Sequence, residues 1–112
     1  MIQIKRIQEG DVDIITLIGE IDASSSIELD LAIAKSVSEG HTKILIDCKA
    51  LEYISSAGLG VFMSYIDEFA EKKITMVLFG MNEKVENTFT ILGLHELLKI
   101  VNDKESAQAV VQ

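Results

Sequence analysis

The segment that most constrains the fold is the apolar run KILIDC, at residues 43–48. A short and nearly continuous apolar run is typical of a strand that is covered on both faces or lies in a parallel sheet. Parallel neighbours are joined by crossover connections, which are usually helices. This run therefore predicts a chain in which strands alternate with helices.

The rest of the sequence follows this alternation. Two strand-like runs, near residues 2–8 and 12–19, flank the turn EGD and predict a hairpin whose first strand is a half-exposed edge. Further strands are predicted near residues 74–79 and 98–101. The element order is then β-β-α-β-α-β-α-β-α. It predicts an α/β fold with a mixed, mostly parallel sheet, an N-terminal antiparallel hairpin and about four helices.

Helices are predicted where apolar residues recur every three or four positions. The predicted helical segments lie within residues 24–40, 59–73, 82–93 and 103–111. Ser25 and Glu28 are expected to form a capping box at the first of these. The apolar stripes predicted for the second and third helices are Leu59, Phe62, Met63, Ile66 and Phe69, and Val85, Thr88, Phe89 and Leu92.

Composition narrows the function classes. The 112 residues carry a net charge of −8, so a nucleic acid or an anionic membrane surface is an unfavourable partner, and a protein with a basic face fits better. The first ten residues alternate apolar and polar side chains and do not resemble a secretory signal. We expect a cytoplasmic protein of one domain, residues 1–112.

Chemically reactive side chains are few. The lone Cys48 is expected to be a buried thiol, and His41 and His95 match no ligand spacing, so no metal and no cofactor are expected. Gly58 and Gly60 give only G-x-G, which is too little for a dinucleotide site. We therefore expect a protein that is not an enzyme.

The stretch YISSAGLG, residues 53–60, carries the strongest functional signal. A serine between a strand and a helix is commonly an N-cap, but one cap does not need two successive serines. The two glycines cost helix stability, which suggests that another surface approaches the backbone there. A helix N-terminus at this stretch would also tolerate an added phosphate, because free N–H groups and the helix dipole stabilise negative charge.

Three segments together resemble a STAS domain of the bacterial anti-sigma-factor antagonist family: GEID at residues 19–22, LIDCKALEYISSAGLGVF at 45–62 and the final DKESAQAVV. The resemblance covers the whole chain and implies a single STAS-type domain. In that family the matching serine, Ser56, is phosphorylated by a partner that is both anti-sigma factor and kinase. Ser55 and Ala57 stand where the family commonly has Asp and Ser or Thr, so Ser55 is an alternative acceptor.

The resemblance also implies a partner-switching regulator of transcription. The unphosphorylated protein would bind the anti-sigma factor and serine kinase and free a sigma factor, phosphorylation would end the binding, and a PP2C-type phosphatase would reverse it. The protein itself would be a monomer or a weak dimer. If Ser25 caps the first helix, Ser24 and Ser26 are free for the partner. The predicted partner-binding residues are Asp22, Ser24, Ser26, Ser55, Ser56, Gly58 and Gly60.

Other functions remain open at this point. The chain could be a STAS interaction module of another system that phosphorylation does not regulate, such as a stress-signalling scaffold, a two-component relay or a lipid-transport accessory. A phosphoaspartate receiver would use Asp47 at the end of its strand, but the first strand lacks the acidic pair that holds Mg²⁺ in receivers. A serine nucleophile elbow would need glycine where Ile54 stands.

Overall fold

The chain forms a five-stranded sheet in which the strands lie side by side in sequence order. This computed structural model describes residues 2–112. The strands are β1 (Ile2–Glu9), β2 (Val12–Ile21), β3 (Lys43–Ile54), β4 (Thr75–Phe79) and β5 (Lys99–Val101). β1 and β2 form the predicted antiparallel hairpin, and each later strand is parallel to the one before it. The predicted α/β class and mixed sheet are confirmed.

Helices follow the parallel strands in the predicted order. They are α1 (Ser26–Ser38), α2 (Ser56–Ser64), α3 (Ile66–Lys72), α4 (Glu83–Ile91) and α5 (Lys104–Val110), with a 3₁₀ turn at Leu94–Glu96. Parallel crossovers are right-handed, so a sheet built in sequence order places its crossover helices on one face. The larger core joins α1, α2, α3 and α4 to that face, and a smaller one joins α5 to the other.

β3 is longer than the sequence predicted. It continues from the expected end at Cys48 to Ile54, because its second half pairs with the end of β2. Leu51 and Ile54 are buried there, although exposed residues separate them and interrupt the apolar run. This extension carries β3 to the same edge of the sheet as the end of β2.

The second predicted helix is two helices that break at Tyr65. The phenol of Tyr65 donates hydrogen bonds to the backbone oxygen and the carboxylate of Asp30 in α1. Burial raises the pKa of Tyr65, and the hydrogen bond to the Asp30 carboxylate raises it further. The apolar stripe does not continue unchanged across the break, and Met63, predicted to be buried, is 46% exposed. The position of Tyr65 therefore links α1 to the end of α2.

Two other predictions about apolar or reactive residues have clear outcomes. Leu92 is exposed rather than buried, since α4 ends at Ile91. Cys48 is fully buried as expected, and burial followed by the nearby Asp47 charge raises the pKa of its thiol. Within residues 2–112, none of the helices has the length and apolar character needed to cross a membrane.

Candidate functional site

The candidate site lies where the carboxyl ends of β2 and β3 meet. Ile21 and Ile54 are partners in the parallel register, and the Ser55 N–H donates a 2.8 Å hydrogen bond to the Ile21 carbonyl oxygen. This bond continues the strand pairing by one residue. It places Asp22, which follows β2, at the same edge as Ser55 and Ser56, which follow β3.

The two successive serines have different roles. Ser55 has extended backbone angles and is the N-cap of α2, where its Oγ accepts a 3.3 Å hydrogen bond from the Gly58 N–H. Ser56 is the first residue of the helix and is exposed. The capping bond of α2 is therefore made by Ser55 and not by Ser56.

Gly58 packs against the ends of β2 and β3. A Cβ atom at this position would lie 2.8 Å from Ile21 Cγ2 and 2.8 Å from Ile54 Cγ1, closer than such atoms pack. Glycine therefore allows the first turn of α2 to rest on the ends of β2 and β3. Gly58 is buried by its own chain, and its contact with a partner stays a prediction. Gly60 is exposed and has open space around it.

Asp22 organises the connection between β2 and α1. Its Oδ1 accepts hydrogen bonds from the Ser25 N–H at 2.9 Å, the Ser24 hydroxyl at 2.9 Å and the Ser25 hydroxyl at 3.0 Å. The bond from the Ser25 backbone, followed by those from the Ser24 and Ser25 hydroxyls, lowers the pKa of Asp22 to about 2. The exposed carboxylate is therefore ionised at neutral pH and holds this turn in one conformation.

The predicted capping box is wrong. Ser25 flanks α1, but its side chain makes no capping bond to the helix. Its hydroxyl accepts instead from the Asp22 N–H at 2.8 Å. Ser26 is only 7% exposed and its hydroxyl donates to the Ala23 carbonyl oxygen, so little of this side chain is accessible, and its contact with a partner stays a prediction. Ser24 is exposed, although its hydroxyl is engaged by Asp22.

Exposed apolar side chains that the sequence patterns did not single out lie on the two helices that begin at this site. Ile27 and Leu31 of α1 are 63% and 64% exposed. They are four residues apart and lie outside the apolar stripe that faces the sheet, and this spacing is the signal that could have identified them. Met63 of α2 is also exposed.

The described part of the chain, residues 2–112, offers no cluster of three or more His, Cys, Asp or Glu residues that could hold a metal ion. Among the predicted site residues, Ser56 is exposed on the first turn of α2, and the exposed Asp22 carboxylate is ionised.

Known proteins share this fold and sequence pattern. The family model of the STAS domain matches residues 3–107. The anti-sigma-B factor antagonist of Listeria monocytogenes is 33% identical over 99 residues, which cover 86% of this chain and 86% of that protein. The crystal structure of an anti-sigma factor antagonist from Mycobacterium paratuberculosis superposes with a TM-score of 0.88 at 20% identity, over 99% of this chain and 94% of that one.

A further similar structure is that of the Bacillus cell fate determinant SpoIIAA in its phosphorylated form. It covers 100% of both chains, with a TM-score of 0.71 at 19% identity. The match to the STAS domain model spans nearly the whole sequence. This chain belongs to the STAS domain family.

Proposed function

We propose that this chain is an anti-sigma-factor antagonist that is switched by phosphorylation of Ser56. The unphosphorylated protein binds an anti-sigma factor with serine kinase activity and so frees a sigma factor, and the phosphorylated protein is released. The observation that carries the proposal is that the two serines differ: Ser55 caps α2, and Ser56 is exposed on its first turn. The relatives named as anti-sigma-B factor antagonists support the class of function.

The chemical step is a phosphoryl transfer from ATP. The Ser56 oxygen forms a bond to the γ-phosphorus, the bond to the β-γ bridging oxygen breaks, ADP leaves and the hydroxyl proton is lost. The kinase supplies Mg²⁺ and the group that accepts the proton. This chain supplies only a hydroxyl on a fixed helix start, so we expect no catalysis by the chain itself.

The start of α2 is a favourable position for a phosphorylated serine. Free N–H groups and the positive end of the helix dipole stabilise an added phosphate, so the fold is expected to persist after phosphorylation. The phosphate adds about −1.5 to −2 charges and a strongly hydrated group. If this surface must lose its water against a partner, a penalty of about 3 kcal/mol weakens binding more than a hundredfold.

The test is phosphorylation by an anti-sigma kinase from the same genome with ATP and Mg²⁺. Mass spectrometry should detect one phosphate on the wild type and on Ser55→Ala, and none on Ser56→Ala, which should still bind the kinase. Treatment with a PP2C-type phosphatase should restore binding of the phosphorylated protein. Phosphate that maps to Ser55 would contradict the assignment of Ser56. If neither serine accepts phosphate, the chain is an interaction module of another system.

A further inference from the structure

Two exposed apolar side chains of α1 lie on the side of the helix that faces away from the sheet. Ile27 and Leu31 are four residues apart, so they are neighbours on one helix face. Leu29 and Ile33 bury the opposite face of the helix. Single exposed apolar residues are ordinary, so this pair is a candidate contact surface only together with the exposed residues of the neighbouring helix.

The outward face of α2 has the same character and includes the candidate phosphoacceptor. Ser56, Gly60 and Met63 follow one another at helical spacing, and all three are exposed. The residues between them, Gly58 and Phe62 among others, pack inward. Met63 therefore lies on the same side of α2 as Ser56.

The two outward faces belong to adjacent helices. α1 and α2 follow β2 and β3, which are neighbours in the sheet. The Tyr65 hydroxyl, just after α2, hydrogen-bonds to the Asp30 carbonyl oxygen in α1 at 3.3 Å. We call Ile27, Leu31, Ser56, Gly60 and Met63 together the α1–α2 surface.

The charges beside this surface are mostly acidic. Glu28 and Asp30 are exposed on α1, and the ionised Asp22 precedes the helix. Protein interfaces commonly combine an apolar centre with a charged rim, and complementary charge on the partner steers the encounter and suppresses wrong partners. The α1–α2 surface is therefore complementary to a partner protein whose binding face has an apolar patch bordered by basic side chains.

We infer that the α1–α2 surface docks the same partner that phosphorylates Ser56, and that Ile27 and Leu31 supply much of the affinity while Ser56 supplies the switch. The inference rests on the proposed function. It assigns the partner a basic rim around an apolar patch, and it separates the residues that hold the partner from the residue that releases it.

The chain offers a matched control for this inference. Ile91 is 82% exposed at the end of α4, so it is an apolar helix residue at the surface like Leu31, but it belongs to neither α1 nor α2. Replacement of either residue by glutamine removes apolar surface without opening a cavity in the core.

The experiment measures binding of the unphosphorylated protein to the purified anti-sigma kinase by calorimetry, at low and high salt. Ile27→Gln with Leu31→Gln should bind about tenfold more weakly or worse, and Ile91→Gln should bind within about twofold of wild type. The melting temperatures of these variants should match the wild type. Higher salt should weaken wild-type binding, as a basic rim requires.

The outcomes separate this inference from the proposed function. If the wild type binds the kinase and the Ile27, Leu31 double variant binds as well as Ile91→Gln, the docking inference is overturned and the proposed function stands. If the wild type does not bind the kinase at all, both are overturned.

Discussion

The starts of α1 and α2 are alike in sequence and opposite in structure. Both follow a parallel strand at the same edge of the sheet, and both are rich in serine. At the start of α1, the Ser24 and Ser25 hydroxyls donate to the Asp22 carboxylate, and the Ser26 hydroxyl donates to the Ala23 carbonyl oxygen. Each of the three serine hydroxyls at this helix start therefore has a hydrogen-bond partner in its own chain.

The start of α2 differs, because only one of its two serines makes the capping bond. Ser55 makes the capping bond and Ser56 stays exposed. Serine content alone therefore does not identify a modification site at a helix start. What distinguishes the two starts is whether a hydroxyl remains after the local hydrogen bonds have been made.

The largest effect on stability is expected from Gly58→Ala, which tests how the first turn of α2 packs on the ends of β2 and β3. The added Cβ would lie 2.8 Å from side-chain carbons of Ile21 and Ile54, and such overpacking costs about 1–3 kcal/mol. We expect a fall in melting temperature of roughly 5–10 °C, measured by circular dichroism. Gly60→Ala is the control, since it has open space and should stabilise the helix by about 0.5–1 kcal/mol. Equal melting of the two variants would contradict the packing of Gly58.

A smaller effect is expected from Ser55→Ala, which separates the cap from the exposed hydroxyl. Loss of an N-cap costs about 1 kcal/mol, so urea unfolding should report that loss for Ser55→Ala and almost none for Ser56→Ala. A greater loss for Ser56→Ala than for Ser55→Ala would mean that the cap has been assigned to the wrong serine.

The contribution of the Asp22 carboxylate at the start of α1 can be tested by comparing the stability of wild type and Asp22→Asn in acid. The pKa of Asp22 is about 2 in the folded protein, below the value of about 3.9 for an unperturbed aspartate. Ionisation of Asp22 therefore stabilises the fold above about pH 4, and this contribution is lost as the pH falls through 2. The difference in urea midpoint between wild type and Asp22→Asn should shrink from pH 7 to pH 2. A difference that stays constant would show that the carboxylate charge contributes nothing.

The smallest effect on stability is expected from Ser56→Asp at the start of α2. An acidic group in the first turn of a helix is tolerated or slightly favourable, so its melting temperature should lie within a few degrees of wild type. Binding to the kinase should nevertheless fall about tenfold or more, roughly 1.4 kcal/mol. A fall in melting temperature above about 10 °C would mean that Ser56 is structural.

The order of strands and helices was predictable because local patterns determine it. The apolar run of β3, the hairpin and the helical stripe of α1 each lie within a short window of sequence. The cap at Asp103 is local as well, because its carboxylate accepts from the N–H of Ser106, three residues later. The serine pair also lies where local patterns place it, between a strand and a helix.

The features that sequence did not predict depend on distant residues. The glycine at position 58 indicated a close approach, but only the fold shows that the approaching atoms belong to Ile21 and Ile54. The break at Tyr65 depends on Asp30, far away in the sequence. The extension of β3 depends on the end of β2. In each case the missing information is a contact between elements.

The side-by-side order of the strands has a consequence for how the chain folds. Each strand pairs with the strand made just before it, so no strand has to be inserted between two that are already paired. Such a topology keeps loop closures shorter than in a sheet whose neighbouring strands are distant in sequence. The pairing that places Ser55 beside Ile21 involves only β2 and β3, so no later strand has to enter between them.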